Sequence, residues 1–207
     1  MIKIVDYGVG NIQAFLNLLK RIGIHAERAR TPDDLDTASR LILPGVGHFD
    51  HAMEKLNESG MRDTLDRKVL RDGIPVMGVC VGMQMLATSS EEGVIPGLNW
   101  IPGKVRAFKS IDGFTLPMPH MGWNQLHPEP TSQLFRKGFE KSTQFYFLHS
   151  YYFDCDDKRD VAAKAFYGVD FEAAVSRGQI YGIQCHPEKS HHWGVSLIKN
   201  FTQVEVC

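Results

Sequence analysis

Ile74-Pro75-Val76-Met77-Gly78-Val79-Cys80-Val81-Gly82 is the stretch on which the fold turns. Its first six residues are almost wholly apolar, the pattern of a strand buried on both faces of a parallel sheet. A helix follows, beginning at Cys80 or Val81 and running through Leu86. A cysteine between two glycines at such a strand-to-helix turn is the thiol form of a nucleophile elbow, where bulky neighbours two residues away would clash. The turn lifts the sulfur clear of the sheet and sets it at a helix N-terminus, where partial positive charge favours the thiolate. The backbone N–H of Val81 then points to where an oxyanion would develop. A cysteine between glycines also occurs as a small buried residue, so the pentapeptide draws its meaning from this context.

Outward from the elbow, the first half of the chain alternates strand and helix. Lys3 to Val5 is a short strand ending in the turn Asp6-Tyr7-Gly8-Val9-Gly10. Asn11 can cap the next helix, where Phe15, Leu18, Leu19 and Ile22 recur at helical spacing. Ile24 to Arg30 and Arg40 to Leu43 are further strands, the second closed by Pro44-Gly45-Val46-Gly47. Phe49 to Leu56 and Met61 to Leu70 are helical. Between Gly93 and Pro130 glycine and proline become denser, which predicts hairpins and loops with extended pieces at Gly103 to Phe108 and Phe114 to Met118. Strands are expected at Phe145 to Phe153, Val161 to Phe166, Glu172 to Ser176 and Ile180 to Cys185, and a final helix at Val195 to Phe201. There is no low-complexity linker and no internal repeat. The expectation is one α/β domain over residues 1–207 with an antiparallel addition.

Composition narrows the class. The 207 residues are 43% hydrophobic and 23% charged, near the globular average, which excludes disorder and fibrous repeats. Lys and Arg total 23 against 24 Asp and Glu, for a net charge of −1, without the basic field of a nucleic-acid binder. The N-terminus lacks the features of a signal peptide, and no apolar stretch approaches the roughly 20 residues of a membrane span. Cys80, Cys155, Cys185 and Cys207 are widely spaced, arguing against a disulfide framework or a cysteine-rich zinc site. These features predict a soluble cytoplasmic protein with free thiols and no membrane or nucleic-acid partner.

A nucleophilic thiol needs a base, and the base an orienting group. Gln184-Cys185-His186-Pro187-Glu188 closes the last strand. In extended chain His186 and Glu188 face one side while Cys185 points away. His186 can take the thiol proton, and Glu188 can hold the imidazole tautomer and stabilise its cation. A rival reading gathers Cys185, His186, Glu188, His191 and His192 around a metal, but no usual zinc-ligand spacing appears, so no metal is expected. The Pro44–Gly47 loop follows a strand and can aim a second N–H, in the Val46 region, at the oxyanion. Gln84, four residues after Cys80, shares its helix face and can hydrogen-bond a substrate amino acid. His149-Ser150-Tyr151 offers exposed polar groups, or merely a sheet edge.

Together these pieces resemble the class I (triad) glutamine amidotransferases. The likeness rests on Gly78-Val79-Cys80-Val81-Gly82-Met83-Gln84, the loop at 44–47, and His186-Pro187-Glu188-Lys189-Ser190. More narrowly, Asp6-Tyr7-Gly8-Val9-Gly10-Asn11, Pro119-His120-Met121-Gly122-Trp123-Asn124 and Tyr146-Phe147-Leu148-His149-Ser150-Tyr151 resemble the glutaminase subunits of imidazole glycerol phosphate synthase. The blocks run from residue 6 to about 201. The resemblance implies a flavodoxin-like, mostly parallel central sheet with added antiparallel strands, and no cofactor. It implies that Cys80 attacks the glutamine carboxamide, with Val46 and Val81 supplying the oxyanion N–H groups, and that water hydrolyses the resulting thioester. It places Gly47, Gln84, Glu92, His149, Ser150 and Tyr151 around glutamine. Asn11, Trp123, Tyr146 and Lys189 would face a (β/α)8 barrel synthase that receives the ammonia.

Cys185 stands where the family more often has Phe, and Val81 where it more often has Leu; both changes keep apolar character. The histidine after Lys189-Ser190 is similar to paralogues whose synthase-like partner amidinates a surface sugar, a second candidate acceptor. A cysteine peptidase or deglycase on the same kind of sheet, or an inactive binding module, are the remaining classes. Intact Cys80, His186 and Glu188 argue against the last.

Overall fold

A computed structural model describes residues 1–139 and 143–205. Cys207 therefore lies outside the described residues. The first half follows the expected alternation. β1 (Ile2–Val5) is buried throughout and leads into α1 (Ile12–Arg21). The Asn11 side chain caps α1 by accepting the Ala14 N–H at 3.2 Å, while Lys20 and Arg21 in the last turn oppose the negative end of the helix dipole. β2 (Ala26–Ala29), β3 (Arg40–Gly45) and α2 (Phe49–Glu58) follow. α3 (Arg62–Asp66) runs on through one π-helical stretch, Arg67–Arg71. β4 (Val76–Cys80), every residue buried, then meets α4 (Val81–Gln84).

The second half contributes β5 (Ser89–Ser90), β6 (Gly103–Ala107), β7 (His120–Pro128), β8 (Thr143–His149) and β9 (Tyr151–Cys155). β10 (Val161–Tyr167), β11 (Val169–Arg177), β12 (Ile180–Ile183) and α5 (His191–Thr202) complete the chain. The strands form one sheet with the continuous order β2-β1-β3-β4-β12-β11-β10-β7-β8, while β9 joins β11 to β6, and β6 carries β5. From β2 to β12 every pairing is parallel; from β12 outward to β8 every pairing is antiparallel. The mixed sheet is thus a parallel half carrying an antiparallel extension.

β12 is nearly the last element in the chain, yet it lies beside β4 in the parallel half. Its register sets Gly182 against Gly78 and Ile183 against Val79, so the chain leaving β12 emerges next to the elbow. On the other side of β4, Gly45 of β3 is in register with Cys80. Both candidate loops flanking the cysteine therefore follow from strand pairing alone.

Several segments differ from the sequence expectation. β7 is a nine-residue strand where loops were expected, because its polarity is inverted. Met121 and Trp123 are exposed, 65% and 46%, while the polar His120 is buried. Phe114 to Met118 forms no strand; Phe114 and Met118 instead pack against the core from a loop. The aromatic run at 145–153 is two strands broken at Ser150, and β12 ends at Ile183 rather than at Cys185. α4 stops at Gln84 because its continuation tightens into three-residue turns, Leu86 N–H to Met83 O and Ala87 N–H to Gln84 O. α5 starts four residues early, at His191, since Gly194 nests against the Pro187 carbonyl. Among the described residues no helix is long and apolar enough to cross a membrane.

The elbow is held by backbone lying on backbone. A Cβ on Gly82 would collide with the Leu43 carbonyl oxygen of β3, and one on Gly78 with the Gly82 carbonyl. Neither neighbour is a side chain that could swing away. Gly82→Ala should therefore destabilise the protein by about 3 kcal/mol or more, read as a lower urea midpoint at unchanged slope. A variant as stable as the native chain would mean that the contact yields without cost.

Candidate active site

Cys80 occupies φ 56°, ψ −115°, a conformation that L-residues rarely adopt. Such strain is typical of positions where the surroundings over-determine the backbone. Its side chain opens into a cavity of about 370 Å³, within the range of small-molecule sites. His186 also lines this cavity, so its ring and the Cys80 side chain face the same space. His186 Nδ1 lies 2.9 Å from Glu188 Oε1, and both side chains are only 6% exposed. The structure thus joins His186 to Glu188 and places His186 on the same cavity as Cys80. The local geometry differs from the extended segment expected: Pro187–Lys189 is a 3-10 turn, and the turn folds Glu188 back on His186. Ser190 secures this turn, donating its hydroxyl to His186 O at 2.6 Å while accepting the Tyr146 N–H at 3.0 Å. The His186 N–H reaches Tyr146 O at 2.9 Å, tying the loop to β8.

Burial opposes the charged form of His186. The nearby Cys80 sulfur and the hydrogen bond to Glu188, with the attraction of negative charge at both, outweigh it and raise the imidazole to about 9. A ring that favours the proton, set on the same cavity as a thiol, is suited to receive that thiol's proton.

The other side chains sort into those that reach the cavity and those that do not. Val46, Gly47, Val81, Gln84, Glu92, His149, Ser150, Tyr151 and Lys189 all line it, together with Pro119 and Leu148. Asn11, Trp123 and Tyr146 do not. Asn11 is the cap of α1; Trp123 stacks on His191, ring centroids 5.3 Å apart; Tyr146 lies under the Lys189 ammonium at 5.6 Å. Glu92 Oε2 accepts the Phe49 N–H at 2.8 Å and so steadies the start of α2. Burial raises the Glu92 carboxyl, partly offset by that hydrogen bond. Among the described residues no group of three or more His, Cys, Asp or Glu could hold a metal, and Cys185 is fully buried.

Two cavity residues do not present what their sequence reading suggested. Gln84 is buried, and its Nε2 donates to Gln184 Oε1 at 3.0 Å and to Tyr151 O at 3.3 Å. Only its carbonyl oxygen remains for a substrate. His149 is buried rather than exposed, and both ring nitrogens are engaged. Its Nδ1 must donate to Tyr151 O (2.8 Å), because a carbonyl only accepts. Nε2 then accepts from His120 Nδ1 (2.9 Å), and His120 Nε2 accepts from the Asn124 amide (3.2 Å). Burial lowers His149 to about 3 and His120 to about 4. This neutral chain shapes the 149–151 wall of the cavity.

Sequence reasoning passed over four residues that hold the site: His120, Ser190, Gln184 and Tyr7. Gln184 Nε2 lies 3.7 Å from the Cys80 sulfur. Tyr7, whose hydroxyl donates to Pro44 O at 2.8 Å, anchors the loop that leads to Val46. All four stood inside quoted sequence blocks, but nothing local announced their partners.

Residues 3–204 match the family model described as glutamine amidotransferase class-I. The chain belongs to the class-I glutamine amidotransferases. Within that family it is 56% identical to a protein of Bdellovibrio bacteriovorus named imidazole glycerol phosphate synthase subunit HisH, across 99% of this chain and 100% of that one. A protein of the same name from Leptospira borgpetersenii is 51% identical, with the same coverage. Among solved structures, one described as a glutamine amidotransferase superposes with a TM-score of 0.70 at 21% identity, covering 96% of this chain and 98% of that one. The structure of PurLQS from Thermotoga maritima gives 0.73 at 16% identity, covering 97% and 96%. At such identities the superpositions speak for the amidotransferase fold.

The histidines of this amidotransferase give stability a signed pH dependence. His120 and His149 stay neutral when folded but titrate near 6.5 when unfolded, so stability is full above pH 6.5 and falls as pH drops toward 4 and 3. His186 has the opposite sign: its contribution is full below 6.5 and is lost as pH rises through 9. Urea titrations should show unfolding taking up nearly two more protons from this pair around pH 5, fewer toward pH 4 and toward 6.5, and His120→Gln should flatten that slope. Equal slopes for both proteins would contradict the neutral pair.

Proposed function

We propose that this chain is the glutaminase subunit of imidazole glycerol phosphate synthase, acting in the cytoplasm in histidine biosynthesis, with residues 1–207 as one amidotransferase domain. The observation that carries the reading is that Cys80, at the end of β4, and His186, held by Glu188 at 2.9 Å just beyond the adjacent parallel strand β12, open on one cavity. The full-length relatives carrying that name support the acceptor.

The reaction follows from the geometry. His186 takes the Cys80 proton, and the thiolate adds to the glutamine carboxamide carbon. The Val81 N–H, at the start of α4, and the Val46 N–H, beyond the end of β3, receive the developing oxyanion. Collapse of the tetrahedral intermediate expels the amine, which takes the proton from His186 and leaves as ammonia. Water, deprotonated by His186, then cleaves the glutamyl thioester to glutamate and restores the thiol. Glu92 and the 149–151 wall hold the amino-acid end of the substrate.

The consumer of ammonia is a (β/α)8 barrel synthase docking over the cavity rim. Val46, Met121, Trp123 and Leu148 are exposed there, an unusual grouping of large apolar side chains. Asn11, Tyr146 and Lys189 complete this face. Val46, whose N–H is the second oxyanion donor in this reading, is 44% exposed on the face the partner would cover, and the isolated chain is expected to turn over slowly.

Cys80→Ala should abolish synthesis fed by glutamine yet leave synthesis fed by ammonium salt unchanged, assayed with the barrel partner. His186→Ala should cost about 10³-fold or more in kcat, and Glu188→Gln less, because orienting a base matters less than being one. Loss of ammonia-fed synthesis in Cys80→Ala would overturn the division of labour. Transfer of nitrogen to a sugar in place of the imidazole precursor would move the chain to the paralogous acceptor. Peptide cleavage would indicate a peptidase.

A further inference from the structure

Gln184, near the nucleophile, is 0% exposed and does not line the cavity. Its neighbours determine which way its amide points. Gln84 Nε2 has two partners, Tyr151 O at 3.3 Å and Gln184 Oε1 at 3.0 Å. The Tyr151 carbonyl can only accept, so the nitrogen end of Gln84 is fixed, and Gln184 must offer Gln84 its oxygen. The Gln184 amide nitrogen is thereby turned to the Cys80 sulfur, 3.7 Å away. The backbone is held as well, with the Gln184 N–H on Ala173 O at 2.9 Å. A flipped amide would set oxygen against sulfur and nitrogen against nitrogen.

We propose that Gln184 is a positioning residue for the nucleophile: its amide N–H, locked in orientation by Gln84, supports the Cys80 thiolate from the side opposite substrate. An amide N–H gains little from a thiol sulfur, a weak acceptor, and much more from a thiolate. The contact therefore favours the reactive form selectively. α4 is a single turn of four residues, so its dipole is short, and a buried donor supplements it. His186 stands on the cavity side and takes the proton; Gln184 takes none and bonds no substrate atom. Gln84, on this account, serves the thiolate through Gln184 as well as facing the cavity.

This inference rests on Cys80 being the nucleophile, and its test reads the thiol directly. Iodoacetamide alkylation of the full chain is followed from pH 5 to 10, with Cys80 quantified by peptide mass spectrometry so that other thiols do not contribute. Gln184→Met, which keeps the volume and removes the donor, should shift the midpoint of the profile upward by about one pH unit and slow alkylation at neutral pH about tenfold. Gln184→Glu, which sets an acceptor against sulfur, should shift it further. With the partner present, Gln184→Met should lower kcat for glutamine hydrolysis while KM stays within about twofold, because Gln184 lies outside the cavity. A native midpoint in a folded Gln184→Met protein overturns the proposal. Should that variant fail to fold, Gln84→Met, which frees the Gln184 amide to rotate, must shift the midpoint in the same direction; an unchanged midpoint there overturns it equally. A wild-type profile unaffected by His186→Ala would instead count against the catalytic pair itself, and a Gln184 effect would stand apart from that result.

Discussion

Close packing of bare backbone at residues 78 and 82 is the constraint on which the site depends. With no Cβ at either position, the start of α4 lies directly on β3 and β4, its backbone against the Leu43 carbonyl. Only then can the turn between strand and helix be short enough to force Cys80 to a positive φ, a strain of about 1–3 kcal/mol offset by the surrounding sheet. The same sheet sets everything around the sulfur. Register with β3 places Gly45 beside Cys80 and so delivers the Val46 loop, while register with β12 delivers His186 from a hundred residues later in the chain. Tyr7 and Gly10 then press on Pro44 from the β1–α1 turn, fixing that loop from behind. Three strand ends are aligned by pairing, and the chemistry is mounted on the loops that leave them.

How much of this was legible in the sequence depended on whether the signal was local. The parallel half could be read because a strand buried on both faces is apolar at every position, as Val76 to Cys80 are. Cys80 could be read because its glycines are neighbours. β7 could not, since a strand with Met121 and Trp123 outside and His120 inside inverts the usual alternation. Glu188 was paired with His186 by assuming an extended segment, and the pair forms instead through a tight turn; the spacing of two residues serves both geometries. Gln84 and His149 were assigned to the cavity and do line it, but their hydrogen-bonding capacity is largely spent on groups that sequence spacing does not reveal. Tyr7 meets Pro44 across 37 positions, His120 meets His149 across 29, and Gln184 meets Cys80 across 104. Positioning residues are illegible for this reason: they are defined by partners that only the fold brings near.

His149 and His186, both beside the same cavity, show how environment divides one residue type into two roles. Each is buried, and burial alone pushes any imidazole toward its neutral form. His149 faces a second neutral ring and a carbonyl whose hydrogen bond only partly offsets burial, so it stays uncharged as a strut. His186 faces Cys80 and Glu188, which reward the proton enough to reverse the direction. Glu188 sharpens the contrast. Its Oε1 meets the His186 ring, while Oε2 is buried with no hydrogen-bond partner among the described residues. A buried carboxylate with a single partner is costly to keep unless that partner is cationic. On the catalytic reading proposed above, moving the proton from Cys80 to His186 would supply that cation. The donor amide of Gln184 acts on the sulfur from the other side. On that same reading a carboxylate in want of a cation and an amide suited to an anion would act on one proton transfer from two sides, and both are in place before substrate arrives.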